Sequence, residues 1–177
     1  MNIIDRIRDY FYQSVLRQRG ANPPLRRVTN MADARTIGII YDSTEPANDA
    51  IISKFAETLR SNGKTVEILA YLHDKKIDQK PGISIFNRKA VNWYHVPVDE
   101  RVIAFCNKNF DLLISAMTGE NKPLEYIAYT SKAKYRVGPF AEEKTKFYDL
   151  MIQIDGKRDL NYLLGQMVHF LENIKYN

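Results

Sequence analysis

The sequence has little cysteine and no long apolar run, and each absence argues against a class of protein. The single cysteine, Cys106, cannot form an internal disulfide, so the disulfide framework of a small secreted protein is excluded. No apolar run approaches the roughly 20 residues that span a bilayer. The first residues include acidic side chains where a signal peptide has an unbroken apolar stretch. We therefore predict a cytoplasmic protein without a membrane span.

Glycine is missing from the place where nucleotide-binding motifs require it. The first predicted strand is followed by the segment DSTEPAN, residues 42–48, which contains no glycine. The dinucleotide fingerprint needs glycines at that turn because the pyrophosphate approaches bare backbone. The sequence also lacks the G-x-x-x-x-G-K-S/T pattern of the P-loop. We therefore predict no nucleotide cofactor of these two kinds and name no other cofactor.

Residue types that carry metal or nucleophilic chemistry are scattered. The three histidines, His73, His95 and His169, lie far apart without the paired spacing of metal ligands. His73 precedes an aspartate and is interpreted either as an oriented base or, preferably, as part of a polar loop. Cys106 lies in an apolar stretch, which is typical of a core residue. We predict no metal site and identify no catalytic residue.

The positive charge is concentrated at the start of the chain. Residues 1–36 contain seven arginines, no lysine and three aspartates, a net charge of +4 out of +5 for all 177 residues. Within them, residues 2–19 have the period of an amphipathic helix, and the linker 21–35 follows. The apolar stripe of this helix consists of Ile3, Ile4, Ile7, Tyr10, Phe11 and Val15. We predict that residues 1–35 are a basic helix and linker, separable from the body. Their partner would be a second copy, another protein or, less favoured, nucleic acid.

Residues 36–177 alternate between short apolar runs and amphipathic stretches. Strands are predicted at 36–41, 64–72, 83–86, 110–116, 134–137 and 147–154, and helices at 46–61, 97–107, from Pro123, and at 160–174. The segment 91–96 is an alternative position for the third strand. Alternation of this kind predicts an α/β fold: one doubly wound Rossmann-like domain, 36–177, with a mostly parallel six-stranded sheet in the order 3-2-1-4-5-6.

Two polar loops follow strands one and four, between which this strand order reverses direction. Ligands bind beyond the carboxyl ends of the strands there because the adjacent loops diverge and leave a crevice. The candidate ligand-binding residues are Asp42, Ser43, Thr44, Ser115, Thr118, Asn121 and Lys122. Their hydroxyl, amide and ammonium groups suit a small polar or anionic ligand. The alternative interpretation is structural: one residue of 42–44 and Asn121 would simply cap the helices that follow.

Two passages carry a resemblance to known families: FDLLISAMTGENKPLEYIAYTSKAKYRVGPF, residues 110–140, and FYDLMIQID, residues 147–155. The first resembles the N-terminal half of heptosyltransferase-like glycosyltransferases, which implies a Rossmann-like fold. Those enzymes have two such domains and hold the sugar nucleotide mainly in the second, so transferase activity is not implied here. Residues 36–176 as a whole resemble an uncharacterised family of short proteins, common in Bacteroidetes, with no assigned function.

Three classes of function remain after these exclusions. A non-catalytic binding or adaptor domain with a ligand at the sheet switch point is favoured, because no catalytic pattern is present. The first alternative is a small-molecule enzyme, transferase-like, that uses the same crevice. The second is a nucleic-acid-binding or ribosome-associated protein that docks through the arginine-rich N-terminal segment.

Overall fold

Helices and strands alternate along the chain in the computed structural model, which describes residues 2–20, 24–74, 80–154 and 159–175. The helices are α1 (Ile3–Arg19), α2 (Pro46–Ser61), α3 (Glu100–Cys106), α4 (Lys122–Thr130) and α5 (Leu160–Asn173). The strands are β1 (Thr36–Asp42), β2 (Thr65–Leu72), β3 (Ser84–Asn87), β4 (Leu112–Ala116), β5 (Tyr135–Pro139) and β6 (Leu150–Ile152). Short 3-10 turns lie at Arg88–Ala90 and Glu142–Lys144. No helix among these residues is long and apolar enough to cross a membrane.

The six strands form one sheet in the order β3-β2-β1-β4-β5-β6, and every neighbouring pair is parallel. β1 and β4 lie at the centre because their apolar runs are buried on both faces of the sheet. Ile39 is aligned with Ile68 of β2 on one side and with Ile114 of β4 on the other. The predicted strand order is confirmed, and the order reverses between β1 and β4.

Helices cover both faces of the sheet, and the two faces differ in composition. On the α2/α5 face, the core is mostly aliphatic, with Ile52, Leu163 and Met167 fully buried. On the α1/α3/α4 face, the core contains several aromatic residues, among them Tyr12, Phe86 and Tyr148.

The N-terminal helix α1 packs on the body through few of its apolar residues. Tyr12 and Leu16 are 2% and 1% exposed and belong to the core of the α1/α3/α4 face. The predicted apolar stripe is largely uncovered by the body: Ile3, Ile4, Ile7, Tyr10 and Phe11 are all exposed. Polar contacts also hold the helix, since the Tyr12 hydroxyl donates to the Lys122 carbonyl at 2.9 Å.

The chain that follows α1 crosses the amino edge of the sheet. Of the predicted linker, residues 21–23 lie outside the described residues. Arg27 N donates to Lys134 O at 2.9 Å, and Met31 N donates to Leu171 O at 3.1 Å. Ala34 is fully buried in the core of the α2/α5 face. The described part of this linker is therefore packed against the body.

The predicted element boundaries differ most around β6 and α3. β6 pairs only over Leu150–Ile152, whereas the alternation of apolar residues predicted a strand over 147–154. Phe147 and Tyr148 are buried, but they fill the core from the segment before the strand. α3 begins at Glu100 and not at 97, because Asp99 is extended and caps it with its side chain. The alternative third strand at 91–96 is wrong, since β3 lies at Ser84–Asn87.

Candidate binding site at the sheet switch point

The two predicted loops emerge side by side at the carboxyl edge of the sheet. β1 and β4 are parallel neighbours, with Tyr41 aligned with Ala116, so the segments beyond them leave in the same direction. The amide nitrogen of Asn121 donates to Asp42 Oδ2 at 2.8 Å across the gap. The switch-point geometry therefore brings the β1 and β4 loops into direct contact.

Asp42 is held by groups from both loops. Its second carboxylate oxygen, Oδ1, accepts the backbone N–H of Thr44 at 2.9 Å. The residue is half-buried, and its own carbonyl oxygen accepts the Asn48 side-chain amide at 3.0 Å. This carboxylate stabilises the turn and carries its negative charge into the candidate site.

Ser43 faces the α2 side and belongs to a separate network. Its hydroxyl donates to Asp49 Oδ1 at 2.6 Å, and the Tyr41 hydroxyl donates to the same oxygen at 2.7 Å. Lys80 forms an ion pair with Asp49. Burial raises the pKa of Asp49, but the hydrogen bonds from Lys80, Ser43 and Tyr41 outweigh it and lower that pKa. Ser43 is 3% exposed, so its hydroxyl is committed to this network.

The capping interpretation is correct for one loop and wrong for the other. Glu45, and no residue of 42–44, is the N-cap of α2, and its side chain makes no capping hydrogen bond. Asn121 is the N-cap of α4, where its side-chain oxygen accepts the Leu124 N–H at 3.1 Å. Asn121 thus caps α4 with its oxygen and binds Asp42 with its nitrogen.

The remaining predicted residues differ in how firmly they are held. Thr44 is exposed, and its hydroxyl oxygen accepts the backbone N–H of His73 at 3.1 Å. Thr118 is half-buried in the loop after β4. Lys122 forms an ion pair with Asp9 of α1, so the N-terminal helix reaches the rim of the site. This contribution of α1 has no local sequence signal.

Ser115 lies below the loops, at the end of β4 on the α1/α3/α4 face. It is fully buried, and its hydroxyl lies beside the buried Tyr148 hydroxyl without forming a well-aligned hydrogen bond to the described residues. A buried hydroxyl without a partner is costly and therefore uncommon. Ser115 is thus a predicted site residue whose polar group is enclosed and has the Tyr148 hydroxyl as a neighbour.

Buried polar residues that sequence reasoning missed lie close to Ser115. Glu125 of α4 and Lys144 form an ion pair at 2.8 Å with only 9% of each side chain exposed. The Tyr148 hydroxyl is buried without a hydrogen bond to the described residues. Burial raises the pKa of Tyr148, the neighbouring Ser115 hydroxyl lowers it, and the nearby charge of Glu125 raises it again. We call Ser115, Glu125, Lys144 and Tyr148 the buried polar cluster.

One sequence signal could have pointed to this cluster. Glu125 interrupts the apolar segment from Pro123 to Ala128, and these residues are all buried. A charged residue in such a segment requires a buried partner. Its partner Lys144 lies in a charged stretch, EEK, that is typical of a solvated surface. Among the described residues, no group of three or more His, Cys, Asp or Glu side chains could hold a metal ion.

Residues 8–174 match the model of a family of unknown function, DUF6913. The chain belongs to this family. The match extends from α1 to the end of α5, so it includes most of the N-terminal helix of this DUF6913 protein together with its sheet. No curated protein matches the chain. The predicted membership of a family without an assigned function is confirmed, and the resemblance to heptosyltransferase-like enzymes stays a prediction.

Proposed function

We propose that this DUF6913 protein is a non-catalytic binding domain, which holds a small polar or anionic ligand at the switch point and docks a partner through α1. The observation that carries the ligand site is the hydrogen bond from Asn121 to Asp42, which joins the two loops above the enclosed hydroxyl of Ser115. The proposed binding residues are Asp42, Thr44, Ser115, Thr118, Asn121 and Lys122, and Ser43 supports the first loop through its hydrogen bond to Asp49.

The charges at the site restrict the chemistry of the ligand. The positive charge of Lys122 at the rim is paired with Asp9, and Asp42 supplies a negative charge at the loop contact. A ligand with several negative charges would be repelled by Asp42, so a hydroxyl-bearing or singly charged molecule fits best. Such a molecule would exchange hydrogen bonds with the Asn121 amide and reach Ser115 below it.

Binding without turnover is supported by the surroundings of the two serines. A serine nucleophile needs a base that hydrogen-bonds to its hydroxyl. Ser43 bonds to Asp49, whose lowered pKa makes it a weak base. No histidine or carboxylate of the described residues bonds to Ser115 Oγ. The alternative of a transferase-like enzyme therefore lacks an activated nucleophile at these positions.

Replacement of Ser115 by alanine tests the ligand site. The unliganded variant should be as stable as the wild type or more stable by about 1 kcal/mol, because it removes an unpaired buried hydroxyl. The same variant should bind more weakly to the ligand found by thermal-shift screening with inorganic phosphate, acetate and glycerol. Asn121→Ala should also bind more weakly, while Asn173→Ala, an exposed amide on α5, should bind normally. Unchanged affinity in Ser115→Ala and Asn121→Ala would refute the site.

The exposed stripe of α1 supports the partner-docking half of the proposal. Ile3, Ile4 and Tyr10 are 74%, 61% and 65% exposed and lie on one helix. Contiguous exposed apolar surface of this kind is typical of an interaction site. The favoured partner is a second copy of the chain, and the exposed Arg6 between the isoleucines keeps nucleic acid as the alternative.

Sedimentation at increasing protein concentration tests this docking surface. Ile4→Asp should shift the protein toward the monomer, while Phe170→Asp, an exposed apolar position on α5, should not. Retention on heparin that is lost with Arg6→Gln but unaffected by Ile4→Asp would favour nucleic acid. A wild-type protein that is monomeric and does not bind heparin would contradict the docking proposal.

A further inference from the structure

A cavity of about 880 Å³ opens on the α1/α3/α4 face, away from the switch point. Asn121 at the start of α4 belongs to the switch point, whereas Tyr129 and Thr130 at its end line the cavity. The other walls are the end of α1, the helix α3 and the segment 92–98. The volume lies within the range of sites that bind small molecules.

The charged side chains that line this cavity are all positive. They are Arg19, Arg26, Lys132, Arg136 and Lys146, and no aspartate or glutamate is among the described residues that line it. Arg136 is neutralised by a two-point ion pair with Asp149, at 2.9 and 3.0 Å. The other four have no carboxylate within ion-pair distance among the described residues. The cavity therefore has a positive potential that its own walls do not cancel.

Two of these cations are held where a positive charge is unfavourable. Burial, with the nearby charge of Arg136, lowers the pKa of Arg26 to about 10. Burial also lowers the pKa of Lys146, and the charge of Arg17 contributes. Lys146 donates to the neutral Gln13 side chain at 2.8 Å. An anion placed between them would stabilise both charged forms.

The remaining wall is apolar and aromatic. Val96 and Val102 are buried at its base, and the rings of Tyr126 and Tyr129 form one side. Gly20 ends α1 against Tyr129, since a Cβ at that position would lie 2.0 Å from the tyrosine hydroxyl. A side chain at position 20 would therefore displace the Tyr129 ring from the cavity wall. A ligand that fills this space needs an apolar body as well as a charge.

We propose that this cavity binds an anionic small molecule with an apolar body, whose carboxylate or phosphate lies among Arg19, Arg26 and Lys146. The apolar body packs against Val96, Val102 and the two tyrosines. This site is separate from the switch point and does not require the ligand proposed there. An anionic group joined to an apolar body is found both in acyl carboxylates and in nucleotides. The experiment below distinguishes these two ligand classes.

Titration of the purified protein with the anionic dye anilinonaphthalenesulfonate tests the site. Dodecanoate and adenosine monophosphate then compete for the dye: displacement by the first identifies an acyl carboxylate, and by the second a nucleotide. Ile103→Asp places a negative charge at the cavity wall, at a residue 53% exposed, where the fold tolerates it. This variant should weaken binding of the competing anion by at least about tenfold. Its matched control, Phe170→Asp on α5, is 48% exposed and should change binding less than about twofold.

A second pair of variants and a neutral competitor test whether binding depends on the positive charge of the cavity and the negative charge of the ligand. Lys132→Glu, an exposed cation of the cavity, should weaken binding, whereas Lys54→Glu, an exposed cation on α2, should not. Dodecanol should displace the dye far less well than dodecanoate. Three results would each overturn the proposal: no saturable displacement by either anion, equal affinities in Ile103→Asp and Phe170→Asp, or, where dodecanoate displaces the dye, equal displacement by dodecanol.

Discussion

The cores on the two faces of the sheet differ in composition. On the α2/α5 face the core is mostly aliphatic, with members such as Ile39, Ile52 and Leu163, and the ion pair on the α2 side, Asp49–Lys80, is partly exposed. On the α1/α3/α4 face, Glu125 and Lys144 are buried as a pair, and a positively charged cavity opens beside an aromatic core. The first arrangement supplies stability through apolar burial. The second arrangement replaces part of this apolar burial with polar groups, as is typical of binding sites.

The largest expected effect comes from breaking the buried ion pair. Lys144→Met leaves the Glu125 carboxylate without its partner in the core, which should lower the free energy of unfolding by about 3–5 kcal/mol. Urea denaturation measures it. The double variant Glu125→Met/Lys144→Met should recover most of the loss. On the other face, Ile52→Val should cost only about 1 kcal/mol. A smaller loss for Lys144→Met than for Ile52→Val would contradict the difference between the faces.

The next largest loss of stability is expected at the amino edge of the sheet, where Asp111 accepts hydrogen bonds from the segments before β1 and β5. Asp111 Oδ2 accepts the backbone N–H groups of Arg35 and Thr36, each at 2.9 Å, and Oδ1 accepts from Lys134 at 2.7 Å. Burial raises the pKa of Asp111, but these hydrogen bonds outweigh it and hold the pKa well below its ordinary value. Asp111→Asn should therefore cost about 2 kcal/mol at neutral pH.

The pH dependence of Asp111 follows from the same shift. Because its pKa is lower in the folded protein, its stabilisation is fully present above about pH 4, the pKa of an unfolded aspartate. It is lost as the pH falls through the lowered value. The difference in melting temperature between wild type and Asp111→Asn should thus shrink from pH 5 toward pH 2. A difference in melting temperature that stays constant over that range would show that the charge of the Asp111 carboxylate does not contribute to stability.

A matched pair of tyrosines compares the faces directly. Tyr41→Phe removes the hydrogen bond to the charged Asp49 on the α2 side and should cost about 1.5–3 kcal/mol. Tyr148→Phe removes a buried hydroxyl whose contact with the Ser115 hydroxyl is not a well-aligned hydrogen bond, and should leave stability unchanged or raise it slightly. Both are measured by urea denaturation. Equal losses would mean that the Tyr148 hydroxyl is as well satisfied as that of Tyr41.

The smallest effect is kinetic and leaves stability untouched. Burial raises the pKa of the Cys106 thiol to about 11, so at pH 8 the folded protein has roughly a hundredfold less thiolate than an unfolded chain. Labelling by a thiol reagent should be slow in the native state, faster as the pH rises toward 11, and rapid in denaturant. Rapid native labelling at pH 8 would indicate that the cavity exposes Cys106 and that the thiol is reactive.

The sequence predicts the sheet better than it predicts the buried polar cluster. The runs around Ile39 and Ile114 are continuous and apolar, which is typical of central parallel strands, and helix patterns separate them. The same logic fails at Tyr148, where alternation imitates a strand although the residue only fills the core. Asp42 and Asn121 were predicted together because topology alone brings their loops to one edge. Glu125 and Lys144 pair across 19 residues through tertiary packing, which no local pattern encodes.

The contact between Tyr12 and Lys122 joins groups 110 residues apart. A ribosome needs roughly 5–20 s to add that many residues, and throughout this time α1 has been made but its partner α4 has not. The helix therefore leaves the ribosome with its apolar residues uncovered, Tyr12 and Leu16 included. The docking of α1 onto the body through this contact therefore has to follow the synthesis of the segment that contains Lys122.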